Sequence, residues 1–490
     1  MPRTDTVIAT EAAQPSGGGG QRRVVAPAIV GIVILLAALI CSARLDSTAV
    51  GVLVILLMLT LMLAMVHIGI AMSIAGLLGI YAMGGTAAFE TAAGTLPYSA
   101  VSSWDLSVIP LFIMMGMLVS ESGLATRIYA ASRAWLGWVP GSMAVTTNLA
   151  GGGLAATSGS TIGITYAVGR MGLPEMFRSG YHSNLALGSV MVSGTVGQLI
   201  PPSILLVVYA GLVETPIGQQ LMAGLGPGLA LIVLYTALIA GTAVLRPDTA
   251  PRTSTVPTWK QRGQSLASVW PLPLLVLAVL GSMLTGVATP TEAAALGVAV
   301  AVAVTFVVQG VVKGLRNIGR SLAGTVAATG SIFLLLVGTE ILTRALALSR
   351  LPRQLAEHLI SLELSQWGFL LLVAVFYLVL GMFLEPMAML LLTIPMLLPA
   401  LEAYDVSLLW FGAFAVLIGE IAVITPPVAV LAFVVHRIAA APEVRALRET
   451  TLGQVYRAAF YFIPVPFLTA VLMVLFPDLV EWLPRVMGGD

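Results

Sequence analysis

Long apolar runs alternate with short polar breaks along this chain, at intervals that suit a bilayer. Runs long enough to span, about 20 residues each, fall near 25–43, 48–66, 68–84, 106–120, 223–245, 268–285, 291–312, 322–339, 366–383 and 458–476. Two further stretches, 141–210 and 381–436, are apolar but interrupted by Gly, Pro, Ser and Thr. Segments 122–137 and 340–356 each follow a spanning run and carry arginines among apolar residues. They read as amphipathic helices lying along the interface. The pattern predicts an all-α polytopic membrane protein.

Composition agrees with the pattern. Of 490 residues, 58% are hydrophobic and only 9% charged, against roughly 25% charged in a soluble domain. A net charge of +1 offers nothing to nucleic acid. Cys41 is the single cysteine, so no internal disulfide forms, and His67, His182, His358 and His436 lack metal-ligand spacing. There is no P-loop, zinc-binding helix motif, nucleophile elbow or dinucleotide fingerprint, so neither an ATPase nor an enzyme is predicted. An intramembrane enzyme would need a dyad such as paired Asp or Ser–His on adjacent helices, and none is evident. No organic cofactor is expected.

Charge sets the orientation. Residues 1–24 end in "SGGGGQRR" and read as a flexible cytoplasmic tail. Residues 25–47 read as an extra N-terminal transmembrane helix; the run is long for a cleaved signal and a second helix follows at once. With Arg22 and Arg23 inside, successive crossings also put Arg127, Arg133, the linker 246–267, Lys313, Arg316, Arg320, Arg437, Arg445 and Arg448 inside. Arg344, Arg350 and Arg353 are the exception. The count works only if each broken region contains a hairpin entering and leaving on one side, the first from inside and the second from outside.

The two broken regions match in order and spacing. Ser160 and Pro201 are 41 positions apart, and Pro386 and Pro426 are 40. The plan is therefore an inverted repeat. The first half, 48–245, holds the surface helix 122–137, a re-entrant hairpin 141–172 and a broken helix 181–210. The second, 268–490, holds the surface helix 340–356, a re-entrant hairpin 366–400, a broken helix 407–436 and a last helix 458–476. Irregular backbone in lipid leaves unpaired amides and carbonyls at several kcal/mol each, and is tolerated only where it lines a cavity or binds something. Such repeats build midplane sites in secondary transporters. Carbonyls freed by Pro201, Pro202, Pro426 and Pro427, with Ser and Thr hydroxyls, are hard oxygen ligands suited to sodium. Helix N-termini at the same breaks favour an anion.

The residues that build this plan resemble a known family. "IPLFIMMGMLVSESGLATRI" (109–128), "TSGST" (157–161), "GLPEMFRSGY" (172–181), "GQLIPPS" (197–203), "AGLGPGL" (223–229), "ATPTEAAALGV" (288–298), "GMFLEPMAMLLLTIPMLLP" (381–399) and "ITPPVAV" (424–430) are similar, in order, to the large membrane subunit of tripartite ATP-independent periplasmic (TRAP) transporters. The resemblance runs from about residue 48 to the C-terminus. It implies an elevator-type transport domain with two re-entrant hairpins on a scaffold, in the cell inner membrane with the N-terminus cytoplasmic. It also implies a separate small four-helix membrane subunit, a periplasmic substrate-binding protein, an organic acid anion as substrate and sodium gradients as the drive.

Carried over position by position, the resemblance assigns sodium binding to Ser158, Gly159, Ser160, Thr161, Gly194, Gly197 and Pro201 at the first tip and break. At the second it assigns Gly381, Glu385, Thr425 and Pro426. Substrate would lie between the tips, near Ser160, Gln198, Ser203, Pro386 and Thr425. The chain departs from the family where Glu385 replaces the commoner Asp, where "IGITYA" brings in Tyr166, and in the polar "YHSNLALGS" (181–189). The helix at 25–47 resembles the linker of fused subunits, with no fused small subunit before it.

Plainer readings compete with these. The 157–161 cluster alone also fits close packing of small residues; the matching second break favours a site. Intramembrane acids are functional candidates, but Glu385 could instead cap the following helix. Glu420 could serve sodium coupling, pair with a polar neighbour or be protonated. Glu292 fits a helix N-terminus. His182 and Asn184 fit either a substrate cavity or loop hydrogen bonding. Arg127, Arg133, Arg344, Arg350 and Arg353 are read as snorkelling to headgroups, and Trp104, Trp135, Trp138 and Trp482 as interfacial anchors. The rival functions are a stand-alone sodium/dicarboxylate-type transporter of related hairpin design and, from another class, a channel.

Overall fold

The computed structural model describes residues 19–42, 45–251, 257–427 and 429–488. Most of the tail expected at 1–24 lies outside these residues; from Gly19 the chain is already helical. No strand occurs among the described residues. Among the described residues, eight helices are long and apolar enough to cross a membrane. In chain order the main elements are α1 (Gly19–Ile40), α2 (Ser47–Leu63), α3 (Ile68–Ser99), α4 (Val108–Glu121), α5 (Leu124–Leu136), α6 (Ser142–Ser158), α7 (Thr161–Arg178), α8 (Ser183–Thr195), α9 (Ile204–Val213) and α10 (Ile217–Leu245). After the linker come α11 (Trp259–Leu284), α12 (Pro290–Gln309), α13 (Val311–Ser349), α14 (Leu351–Ser361), α15 (Gln366–Gly381), α16 (Pro386–Ala403), α17 (Leu408–Ile424), α18 (Val430–Ala439), α19 (Leu452–Leu475) and α20 (Asp478–Gly488).

Two helices form the centre. Every residue of Leu185–Thr195 in α8 and of Trp410–Ile424 in α17 is buried. A helix apolar on all sides belongs inside a packed bundle. α17 ends just before Pro426, α8 ends at Thr195 with one short turn (Val196–Gln198) before Pro201, and α9 and α18 resume beyond the Pro-Pro pairs.

A hairpin leans on each. In the first, the Met143 amide donates to the Tyr181 hydroxyl at the base (3.3 Å), and Gly172 packs against Thr147 higher up. In the second, Gln366 donates to the Tyr404 and Asp405 carbonyls at the base, Thr393 donates to the Tyr377 hydroxyl (2.8 Å), and Gly381 meets Met389 near the tip. The first hairpin runs on through α7 to Arg178, six residues past the expected end.

The outer helices make a separate seam. Helix α3 crosses α13 at Gly69 and Gly338, where a Cβ on Gly338 would stand 2.4 Å from the Gly69 carbonyl oxygen. Only glycine lets the two backbones touch, as in other membrane helix crossings. The surface helix expected at 340–356 is displaced. Residues 340–349 complete the 39-residue α13, and the amphipathic helix is α14. No Gly or Pro stops α13 after Gly338; the joint is Arg350, in left-handed conformation (φ 59°), with Pro352 in the first turn of α14.

Two of the five arginines expected at headgroups have protein partners. Arg133 of α5 pairs with Glu175 of α7 at 2.6 Å, and Arg353 with Glu357 at 3.0 Å. Glu292 closes a capping box with Thr289 at the start of α12, accepting the Thr289 amide at 2.8 Å.

Candidate functional site

The first tip is two residues long because its sequence stops one helix and starts another. Gly159 takes the left-handed conformation (φ 56°) that ends α6. Ser160 then takes an extended conformation and accepts the Gly163 amide at 3.2 Å, capping α7. The tip seats on the first break. A Cβ on Gly159 would come 2.5 Å from the Pro202 carbonyl oxygen. Gly197 lies against Ser160 and Thr161, and Gly194 so close to the Thr161 carbonyl that a Cβ there would stand 2.4 Å from it. Thus Ser160, Thr161, Gly194 and Gly197, with Gly159 against Pro202, pack together.

The side chains of the tip divide. Ser158 and Ser160 line a cavity of about 340 Å³ between the tip and helices α4 and α13, with Gly116, Arg320 and Ser321 among its walls. Thr161 is turned to the core: its hydroxyl donates to a Glu420 carboxylate oxygen at 2.9 Å. Of the polar candidates at the break, Ser203 is fully buried and its hydroxyl accepts the Leu206 amide at 3.2 Å, so it caps α9. Gln198 is half-buried with an unpartnered side-chain carbonyl oxygen. Pro201 and Pro202 are buried and their mutual bond is cis.

The second tip packs against the shaft of α17. A Cβ on Gly381 would stand 2.4 Å from the Ala422 Cβ, and one on Gly419 would stand 3.2 Å from the Pro386 Cβ. Glu385 occupies the N-cap position of α16, but its side chain makes no capping hydrogen bond and is exposed. The capping reading of Glu385 therefore fails. At the second break, Thr425 donates back to the Ile421 carbonyl at 2.6 Å, and the Tyr456 hydroxyl satisfies the Pro427 carbonyl at 2.9 Å. Pro426 is half-buried.

Arg320 and Ser321 escaped sequence reasoning as parts of the site. They sit on α13, far along the chain from the tip whose cavity they line, and nothing local marks them. Glu420 was legible as an intramembrane acid, but not its partner 259 positions away. Thr165 carried a weak signal, four residues after Thr161 on one helix face. His182 is resolved toward loop chemistry: its Nδ1 accepts the Asn184 amide at 3.3 Å, and its own amide donates to the Thr249 carbonyl at 2.9 Å.

This arrangement can be set beside known proteins. The family model described as "Tripartite ATP-independent periplasmic transporter, DctM component" matches residues 54–479. The chain belongs to this family. This TRAP large permease subunit is 30% identical over 386 residues to the C4-dicarboxylate TRAP transporter large permease protein DctM of Pseudomonas aeruginosa, covering 79% of this chain and 87% of that one. It is 28% identical over 434 residues to the ectoine TRAP transporter large permease protein TeaC of Halomonas elongata, covering 87% and 98%. It is 26% identical over 395 residues to the sialic acid TRAP transporter large permease protein SiaM of Vibrio cholerae, covering 79% and 88%. The solved structure of the Alcanivorax borkumensis YdaH transporter shares the fold at TM-score 0.58 and 17% identity, over 81% of this chain and 91% of that one. The TRAP permease is thus a multi-pass membrane protein of a transporter family, built on a fold already seen in another transporter.

Proposed function

We propose that this TRAP permease imports an organic acid anion, driven by sodium, after a periplasmic binding protein delivers it. A separate small four-helix membrane subunit would brace its scaffold in the inner membrane, with the N-terminus cytoplasmic. The observation that carries the reading is the first tip, where two helix ends, a Pro-Pro break and a cavity meet. Ser158 and Ser160 offer hydroxyl oxygens at that cavity, and the α7 N-terminus supplies a positive dipole end beside it. Hard oxygens suit sodium and the dipole suits a carboxylate, as in transporters built on broken helices. The relatives' names span a dicarboxylate, sialic acid and ectoine, in keeping with a general organic-acid site.

The mechanism follows from which parts can move as a body. The hairpins rest on α8 and α17, whereas α3 and α13 are locked backbone to backbone. The hairpin body would shift past the scaffold and carry the tip site with it, alternating access between the two sides. Sodium at the tips would order the hairpins and offset the substrate's charge.

The test is uptake by the permease reconstituted with its two partners under an imposed sodium gradient. Ser158→Ala and Ser160→Ala are expected to weaken the sodium dependence of uptake while insertion into the membrane is retained. Uptake indifferent to sodium in the wild-type assembly would overturn the drive; wild-type sodium dependence in both variants would overturn the tip as its site.

A further inference from the structure

Glu420 lies one turn before the end of an apolar helix, with 2% of its surface exposed. One carboxylate oxygen accepts the Thr161 hydroxyl at 2.9 Å; the other, Oε2, has no hydrogen-bond partner. No ion pair among the described residues includes it. An isolated buried carboxylate is too costly to keep without a compensating charge. A second orphan sits nearby. Thr165 is one turn beyond Thr161 on the same face of α7, fully buried, and its hydroxyl also has no partner. Both threonines abut Gly194, where a Cβ would stand 2.0 Å from the Thr165 hydroxyl. Tyr235 of α10 faces the same carboxylate with its hydroxyl beside Thr195, and Glu385, at the start of α16, lies within electrostatic reach.

We propose that Glu420, Thr161 and Thr165 form a buried monovalent-cation site behind the first tip, separate from the oxygens of Ser158 and Ser160 that face the cavity. This rests on the sodium-driven reading and deepens it by naming a charged ligand. The first-tip candidates offer only neutral oxygens; Glu420 supplies a full negative charge, and two carboxylates in mutual reach increase the pull on a cation. A proton on Oε2, donated to the unpartnered Thr165 or Tyr235 hydroxyl, is the competing occupant. A sodium ion takes Oε2 and the Thr165 oxygen together, and hard oxygens are its preferred ligands. Because the site joins the first hairpin to the second interrupted helix, its occupancy ties the two halves together.

The experiment uses the purified full chain in lipid nanodiscs and sodium as the probe. Radioactive sodium binding and sodium-dependent thermal stabilisation are measured at constant ionic strength, with choline as the replacement cation. Glu420→Gln and Thr165→Val keep shape and remove one ligand each. Each is expected to lose one bound sodium per chain or to weaken sodium binding at least about tenfold, a loss typical of disturbed metal shells. Thr165→Ser, which keeps the hydroxyl, is expected to bind as wild type does and so separates ligation from packing. Wild-type stoichiometry and affinity in both Glu420→Gln and Thr165→Val would overturn the site. So would Glu420→Gln that binds sodium normally but loses a pH dependence of stability, which would assign a proton instead. A wild-type chain that binds no sodium would overturn the sodium-driven reading along with the site, and that outcome is visible before any variant is compared.

Discussion

Gly159 sits against the Pro202 carbonyl so closely that a single added methyl group would lie 2.5 Å from its oxygen. The contact is backbone to backbone, between the first tip and the first break, and it holds the two irregular segments of this half together. Gly159 also needs the left-handed conformation. Gly159→Ala meets both penalties, about 1–3 kcal/mol for the conformation alone. Uptake by reconstituted transporter is expected to fall at least roughly tenfold, with the variant still inserted and monodisperse on size-exclusion chromatography.

Ser203 has a structural duty that its place among the substrate candidates did not reveal. Its hydroxyl caps α9 in a fully buried setting. Ser203→Ala is expected to cost about 1 kcal/mol of stability, seen as a lower melting temperature in detergent. Ser203→Thr should recover most of it. Unchanged melting of Ser203→Ala, with a raised KM, would return Ser203 to the substrate.

The α3–α13 seam predicts contrasting outcomes for two glycines on one helix. Gly338→Ala pushes a methyl group into the Gly69 backbone, whereas Gly330 has open space around it. Gly338→Ala should destabilise by about 1–3 kcal/mol, as overpacking does. Gly330→Ala should be neutral or stabilising by about 0.5–1 kcal/mol through helix propensity. Paired thermal denaturation of the two variants measures the difference directly.

Arg320 is the cation at the wall of the tip cavity. Its charge should assist an anionic substrate there, mainly through long-range attraction. Arg320→Glu is expected to depress uptake more than Arg320→Ala. The gap should shrink when choline chloride raises ionic strength at fixed sodium, because the screening length falls to roughly 3 Å at 1 M. A gap insensitive to salt would point to direct contact instead.

The first tip was legible because its signals are local. Gly and Ser at 159–160 stop one helix and cap the next, and a polar cluster in an apolar run stands out at once. The helix breaks near 201 and 426 are local signals too, since Pro-Pro pairs break a helix wherever they occur. The surface helix at 340–356 was misplaced because arginines suggested an interface, while the absence of a helix breaker between Gly338 and Arg350 counted for more.

Local chemistry therefore settled which segments are helical, where they break and that they belong in a bilayer, because helix propensity, capping and hydropathy act over a few residues. Packing settled which way the side chains at those breaks face. Thr161 and Ser160 are neighbours in sequence, yet one is bonded to Glu420 in the core and the other lines the cavity. That division depends on helices 259 positions apart being brought into register. Only the folded bundle, where every buried polar atom competes for a partner, sets that register.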